Sequence, residues 1–493
     1  MSLDETVAVS TPTPGHMNGQ IPHTLQPAAQ TLADIHSTLT NPVVMQSLMG
    51  FEANDRGNAL AVHSVFGTHF LHCEALGWLC YSGSRWQREG AASEVQRAVT
   101  EVLHARYRRA GQHENTELMR CAKPQASTIA HAIKLFCPLV QARVEDFDAS
   151  PDHVNVANGV LDLRTGALTP HTPSQKFTYC LSTPYDPDAD MTAWREFLAE
   201  VVEGGDEVLS LLQRSVGYSL TGHVNEEKLF YIYGDTRAGK GIFTEILVTL
   251  LGKPLSTEVS FKTFTADRKN DSNNHDLAPL KPTRFIAASE SSKRDKLNAE
   301  RVKVLTGGND IYCRHLYQSH FSYRPTFKIW LISNNDVYAD PHDRAVWGRI
   351  IRFAFPLSFL GQEDKTLKER LKRPENLRGV LAWAVAGARA WYASPQGLQV
   401  PAVLQTALET VRAELDTVQE WLDLATVPNA GGFEAYSALF GSYKSWCQEN
   451  GQTPCSSKDF GDVLTKKGYP SQRHYLPNGK QDRCRERLNL RLQ

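Results

Sequence analysis

Four things are scarce in this 493-residue chain, and each absence narrows the reading. No Lys or Arg precedes Arg56, so the charged start of a secretory leader is missing. No two of the nine cysteines are spaced C-x-x-C, which argues against a zinc site or a disulfide frame and for reduced thiols. The most apolar run, GVLAWAVAGA at 379–388, is too short to span a bilayer and ends at Arg389. Net charge is only -1, so any surface for nucleic acid must be local. These absences lead to an expectation of a cytoplasmic chain with no membrane partner.

What is present is an ordinary apolar fraction, 41%, in a length that suggests about three domains. Residues 1–48 are rich in Thr, Pro, Ala, Gln and Asn and read as a disordered lead-in. Residues 49–228 mix helical periodicity with short strand-like pieces, an α+β region. Asn158-Gly159 and Thr165-Gly166 suggest hairpin turns there. From 229 to 394 the pattern changes. LFYIY, RFIAAS, FKIWLIS and IIRFAF are continuous apolar runs of strand length, with helical stretches between some of them. Such runs suit a parallel α/β sheet covered on both faces. SPQGLQVP then reads as a linker to a smaller unit, 401–493.

The stretch YGDTRAGKGIF carries the chemistry. Gly234, Asp235, Thr236, Arg237, Ala238, Gly239 and Lys240 have the spacing of a phosphate-binding loop, between an apparent strand and an apparent helix. Helix-start N–H groups would cradle phosphates and Lys240 would reach the outer ones. The following slot, where the pattern places a magnesium-holding Ser or Thr, is Gly241. Further on, RFIAASE ends in Glu290, a carboxylate suited to hold magnesium through water and polarise an attacking water. FKIWLISNN ends in an amide, Asn334, suited to sense a terminal phosphate. Arg344 and Arg349 precede the last strand, where an arginine could serve a neighbour's nucleotide. Each late signal alone also fits a solvated residue at the end of a core element; their order and spacing make the pattern.

With those residues in hand, the chain resembles superfamily 3 helicases of the phage and plasmid primase-helicase branch, related to the poxvirus primase-helicase. The stretch from Arg301 to Asn335 is the most specific. Lys303, Thr306, Gly307, Gly308, Arg314, Pro325, Thr326, Lys328 and Asn334 match the family pattern, although Asn309 interrupts T-G-G-D. The resemblance implies a P-loop, AAA+-like ATPase core in a ring, a hexamer, that unwinds DNA with ATP and Mg2+ during replication of a mobile element. It implies Lys240 as phosphate lysine, Glu290 as metal-and-water carboxylate, Asn334 as sensor and Arg349 as finger. It also implies a C-terminal winged helix, from YKSWCQENGQTPCSSKDFGDVL.

Candidate DNA contacts are Lys303 and the hairpin residues Arg314, His315 and His320. The family's hairpin-tip lysine is replaced here by Gln318. At the C-terminus, Lys480 and Arg483 lie in a stretch from 471 with six Lys or Arg against two acids, which suits single-stranded and duplex phosphate backbones. A solvated basic tail reads the same way. The one acidic cluster ahead of the core, EDFD at 145–148, is read as non-catalytic, so a separate primase is the expected partner. A combined primase-helicase and a non-catalytic initiator with a silent nucleotide site are the rival readings.

Overall fold

The computed structural model describes residues 38–39, 41–265, 277–289, 295–314, 320–475 and 481–493. The chain divides into two compact units: residues up to 161 with 167–184, and residues 162–166 with 185–493.

The first unit opens with α1 (Pro42–Met49) and α2 (Asp55–Phe66). Asn41 caps α1 by accepting from the Val43 N–H at 2.9 Å, and Pro42 occupies the first turn, where its missing N–H costs nothing. The lead-in expected over 1–48 therefore ends earlier, since Leu48 is wholly buried in the core of this unit. Residues 1–37 lie outside the described residues. A three-stranded meander follows, β1 (Phe70–Cys73), β2 (Gly77–Tyr81) and β3 (Trp86–Gln87). Helices α3 (Ala91–Gln112), α4 (Thr116–Ala122) and α5 (Ala126–Phe136) complete the helical layer. Arg106 of α3 is fully buried and donates to the carbonyls of Phe51, Glu52 and Gly57, joining the segment ahead of α2 to the layer. A second small sheet joins β4 (His153–Val156), β5 (Gly159–Asp162) and β6 (Leu168–Thr169), with the expected turn at Asn158.

The second unit begins with α6 (Thr192–Val201) and α7 (Gly205–Leu220). The sequence grouped both with the N-terminal region, up to 228. Packing reassigns them. A Cβ on Gly217 of α7 would lie 2.0 Å from the Ala388 nitrogen, and one on Gly387 would lie 2.0 Å from the Gln213 carbonyl oxygen. The two glycines thus let α7 and α12 (Pro374–Ala393) touch backbone to backbone.

The core of this unit is a five-stranded parallel sheet of β7 (Leu229–Gly234), β8 (Ser256–Ser260), β9 (Phe285–Ser289), β12 (Lys328–Ser333) and β13 (Ile350–Phe355), in the order β13-β7-β12-β9-β8. The four apolar runs are four of its five strands; the fifth, β8, is the polar STEVS at the sheet edge, which the sequence reading did not pick out. Every residue of β12 is buried, as a strand covered on both faces requires. On one face Trp330 stacks on Phe230 and Phe285 of the two adjacent strands and on Phe353 of β13, at ring-centroid distances of 4.4, 5.7 and 6.2 Å. α8 (Lys240–Leu255), whose last turn breaks at Gly252, brings Phe243 onto Trp330 on that face. The opposite face packs Tyr231, Ile286 and Leu331 against Val302 and Leu305 of α9 (Ala299–Thr306). A hairpin of β10 (Ile311–Arg314) and β11 (His320–Tyr323) leads into β12. α10 (Arg344–Trp347) precedes β13, and α11 (Leu367–Leu371) precedes α12.

Two buried cations fasten the sheet to α7. Lys328 donates to the carbonyls of Thr221, His223 and Thr326, and Arg284 donates to that of Leu220. Cations at a helix's carbonyl end satisfy orphan acceptors and complement its dipole. Burial, with Arg284 nearby, holds the Lys328 ammonium well below the usual lysine range. The lysine of the P-T-x-K pattern is thus a structural fastener.

Beyond α13 (Ala402–Glu414), the elements run α14 (Thr417–Ala425), β14 (Thr426–Ala435), α15 (Tyr436–Glu449), α16 (Ser457–Lys466), β15 (Ser471–Tyr475) and β16 (Gln481–Leu492). The strands form an antiparallel sheet in the order β14-β16-β15. Trp421, Tyr443, Phe460 and Leu490 are its buried centre, which makes Tyr443 a core residue. Among the described residues, no helix is long and apolar enough to cross a membrane.

Candidate functional site

Strand β7 ends at Gly234, and its neighbour fixes why glycine stands there: a Cβ would lie 2.0 Å from the Phe355 carbonyl oxygen across the ladder. The chain then turns sharply, with Arg237 at φ 64° and Gly239 at φ 85°, before α8 starts at Lys240. At Gly239 a Cβ would also meet a Val201 methyl at 2.9 Å. Loop 234–241 is therefore shaped by both its torsions and its neighbours.

Lys240 is only 6% exposed. Its Nζ donates to the Gly234 carbonyl at 2.8 Å, the Asp235 carbonyl at 2.6 Å and Asn334 Oδ1 at 2.8 Å. Burial lowers the affinity of this amine for its proton. Asn334 follows directly on β12, next to β7 in the sheet, and its Nδ2 lies 3.5 Å from Thr236 Oγ1. The sequence signals at 234–241 and 334 thus converge, because parallel neighbours bring their carboxyl ends to one edge.

That edge opens into a cavity of about 920 Å3. Its floor holds Lys240, Gly241, Ser289 and Asn334. An apolar wall comes from Phe197 and Val201 of α6 with Phe359 and Leu367. The segment after β13 is tied to the loop: Ser358 Oγ donates to the Thr236 carbonyl at 2.7 Å, and the Phe359 N–H to that of Arg237 at 3.2 Å. Glu363 faces Arg237 at 3.7 Å. Sequence reasoning missed both α6 and 356–368 as site elements. Neither carries a motif; only apolar residues within reach of the loop mark them.

Other predicted residues fall elsewhere. Arg349 sits before β13, at the amino end of the sheet and away from the cavity of its own chain. Its guanidinium donates to Thr306 Oγ1 at 3.1 Å, the Ala345 carbonyl at 3.0 Å and Glu227 Oε2 at 2.6 Å. Arg344 opens α10 and is exposed. Lys303, read as a DNA contact, forms an ion pair with Asp343 at 2.7 Å; Asp343 also caps α10. Arg314 and His320 are paired positions in the β10–β11 ladder. Arg483 belongs to β16. Glu290, His315 and Lys480 lie outside the described residues. Thr244, one turn into α8, spends its hydroxyl on the Lys240 carbonyl at 3.0 Å and stays buried. Among the described residues, no group of three or more His, Cys, Asp or Glu could hold a metal ion.

Fold and site together define a mixed α/β protein with a P-loop-like parallel core. The C-terminal region of NrS-1, solved in its apo form, has the same fold with a TM-score of 0.51 at 11% identity, covering 88% of this chain and 99% of that one. Residues 59–203 match a family described as "D5 N terminal like", and residues 232–347 one described as "Family of unknown function (DUF5906)". L207/L206 of Acanthamoeba polyphaga mimivirus, which carries a helicase name, is 24% identical over 44% of this chain and 23% of its own length. V13 of Sputnik virophage, also bearing a helicase name, is 26% identical over 30% of this chain and 20% of its own. C962R of African swine fever virus, which carries a primase name, is 22% identical over 45% of this chain and 24% of its own. The matches thus span less than a quarter of each of these relatives. Over these stretches the chain is similar to viral proteins that carry helicase and primase names, and its fold is that of the NrS-1 C-terminal region.

Proposed function

We propose that this chain is the motor subunit of an ATP-driven DNA helicase that works as a ring, a hexamer, in replicating a phage, viral or plasmid-like element. The observation that carries this reading is the Lys240 ammonium, held among Gly234, Asp235 and Asn334 at the start of a helix and the carboxyl edge of a parallel sheet. Three acceptors gather there around one cation, and arriving phosphate oxygens are better acceptors than any of them. Exchange of Lys240 onto the phosphates releases the Asn334 amide, which then touches the terminal phosphate and orients water. The first N–H groups of α8 face the same anion.

Glu290, one residue beyond β9, is the proposed base that polarises the attacking water. The cavity offers the oxygen donors a hard divalent ion takes, so its residues fit Mg2+ held with the nucleotide phosphates. When bound, the ion neutralises charge on the phosphates. Arg349 is remote from the cavity of its own chain, which suits a finger presented to the next subunit.

The C-terminal elements, helix-strand-helix-helix-strand-strand over a sheet in the order β14-β16-β15, support reading 417–493 as a winged helix that grips duplex DNA. The β10–β11 hairpin is the proposed contact to the single strand. A combined primase-helicase is favoured by one observation, the primase name of C962R. The measurement that decides is ATP hydrolysis with and without single-stranded DNA. Stimulated turnover supports the motor, and no turnover under either condition leaves a silent binding protein.

A further inference from the structure

Gly241 leaves open which side chain of this chain binds the metal directly, and the oxygens around the cavity sort by what already holds them. Ser333 is 3% exposed, and its hydroxyl accepts from the Asn335 N–H at 2.8 Å. The Thr236 hydroxyl faces the Asn334 amide. Thr244 is turned back onto its own helix. Glu363 faces Arg237. Asp364 is held by the N–H and hydroxyl of Thr366 and by Arg370 at 3.5 Å. Glu200 belongs to the α6 wall, with Phe197 and Val201.

Ser289 remains. It is the last residue of β9, is exposed, and lines the cavity with Lys240, Gly241 and Asn334. Its hydroxyl has no hydrogen-bond partner among the described residues. In the ladder it is opposite Ile332, two positions before Asn334. A Cβ built on Gly241 meets nothing within 4 Å, so nothing in the fold forbids a hydroxyl-bearing residue there; the chain simply has none.

We propose that Ser289 is the direct protein ligand to the divalent ion of the metal–nucleotide complex, supplying from the end of β9 the hydroxyl that position 241 lacks. The inference rests on the ATPase reading above. A serine oxygen is the same neutral, hard donor that a P-loop Ser or Thr supplies, so the site keeps its charge balance. An octahedral ion that retains several waters needs only one such protein ligand beside the phosphates.

The test is Mn2+ binding to the full chain, read from the electron-spin resonance of the free ion, at saturating ADP. ADP affinity is measured separately in chelator. Ser289→Ala is expected to weaken Mn2+ binding by about tenfold or more while leaving metal-free ADP affinity unchanged. Adding Gly241→Ser to Ser289→Ala is expected to restore it, because the hydroxyl returns at the other position. If the wild type binds ADP, and Ser289→Ala, with an unchanged urea midpoint, holds Mn2+ as tightly as wild type, Ser289 is not the ligand while the nucleotide site stands. Failure of Gly241→Ser to restore binding overturns the exchange of roles. A wild type that binds neither ADP nor Mn2+–ADP overturns the ATPase reading and this inference with it.

Discussion

Replacing Lys240 by alanine removes one ammonium and leaves three acceptors behind, and their surroundings set the size of the effect. Asp235 and Asn334 are exposed and regain water. Gly234 is buried, so its carbonyl is the one acceptor left unsatisfied, at about 1–3 kcal/mol. That is a fraction of a typical domain stability of about 5–15 kcal/mol, so Lys240→Ala should fold. Part of the cost is returned, because the ammonium is itself partly desolvated. Its proton affinity in the fold lies below the ordinary lysine value of 10.5. The unfolded chain therefore binds more protons in the alkaline window below that value. Without nucleotide, the wild type should gain stability as pH rises through the lowered value, and Lys240→Ala should lack that gain. Hydrolysis should fall by roughly 10²–10³-fold, the usual effect of deleting one preorganised donor to a developing charge. Steady-state ATPase measurement alongside urea unfolding checks both parts. A folded Lys240→Ala protein that hydrolyses ATP within a few-fold of wild type refutes the assignment of the loop.

Two further outcomes follow from the same geometry. Lys328→Met should destabilise the second unit by about 2 kcal/mol or more, since it leaves the carbonyls of Thr221, His223 and Thr326 short of their donor; a urea midpoint equal to wild type contradicts the fastener role. Arg349→Ala should bind ATP normally yet hydrolyse it roughly 10³–10⁵-fold more slowly, and rings mixed with Lys240→Ala subunits should regain activity at interfaces that pair an intact Lys240 with an intact Arg349. Mixed rings no more active than either mutant alone mean that Arg349 does not act in trans.

Four of the five strands were legible because they are unbroken apolar runs, as strands covered on both faces are; the edge strand β8, STEVS, alternates half-buried and exposed residues beyond its buried Ser256 and carries no such run. Loop 234–241 and Asn334 were legible because both sit directly at strand ends, where spacing along the chain reports position at one edge. The boundary near 228 was misplaced for a packing reason. The close approach of α7 to α12 depends on Gly217 and Gly387, which carry no hydrophobic signal. The start of α1 was hidden by a polar, proline-rich stretch whose Asn41 and Pro42 turn out to be a helix cap and first turn. Lys303 was legible as a conspicuous lysine, but its partner Asp343 is 40 residues away, a distance that periodicity does not bridge. The apolar wall of the cavity comes from elements on either side of the core run, Phe197 and Phe359, and only the folded chain brings them together.

The central claim is that hydrolysis in this cavity drives strand separation. The most direct measurement is displacement of a labelled strand from a forked DNA duplex by the full chain, with ATP, with a non-hydrolysable analogue, and with Lys240→Ala. The account predicts displacement with ATP and wild-type protein alone. Displacement that persists with the analogue or in Lys240→Ala, or ATP turnover stimulated by DNA with no strand released, would contradict it.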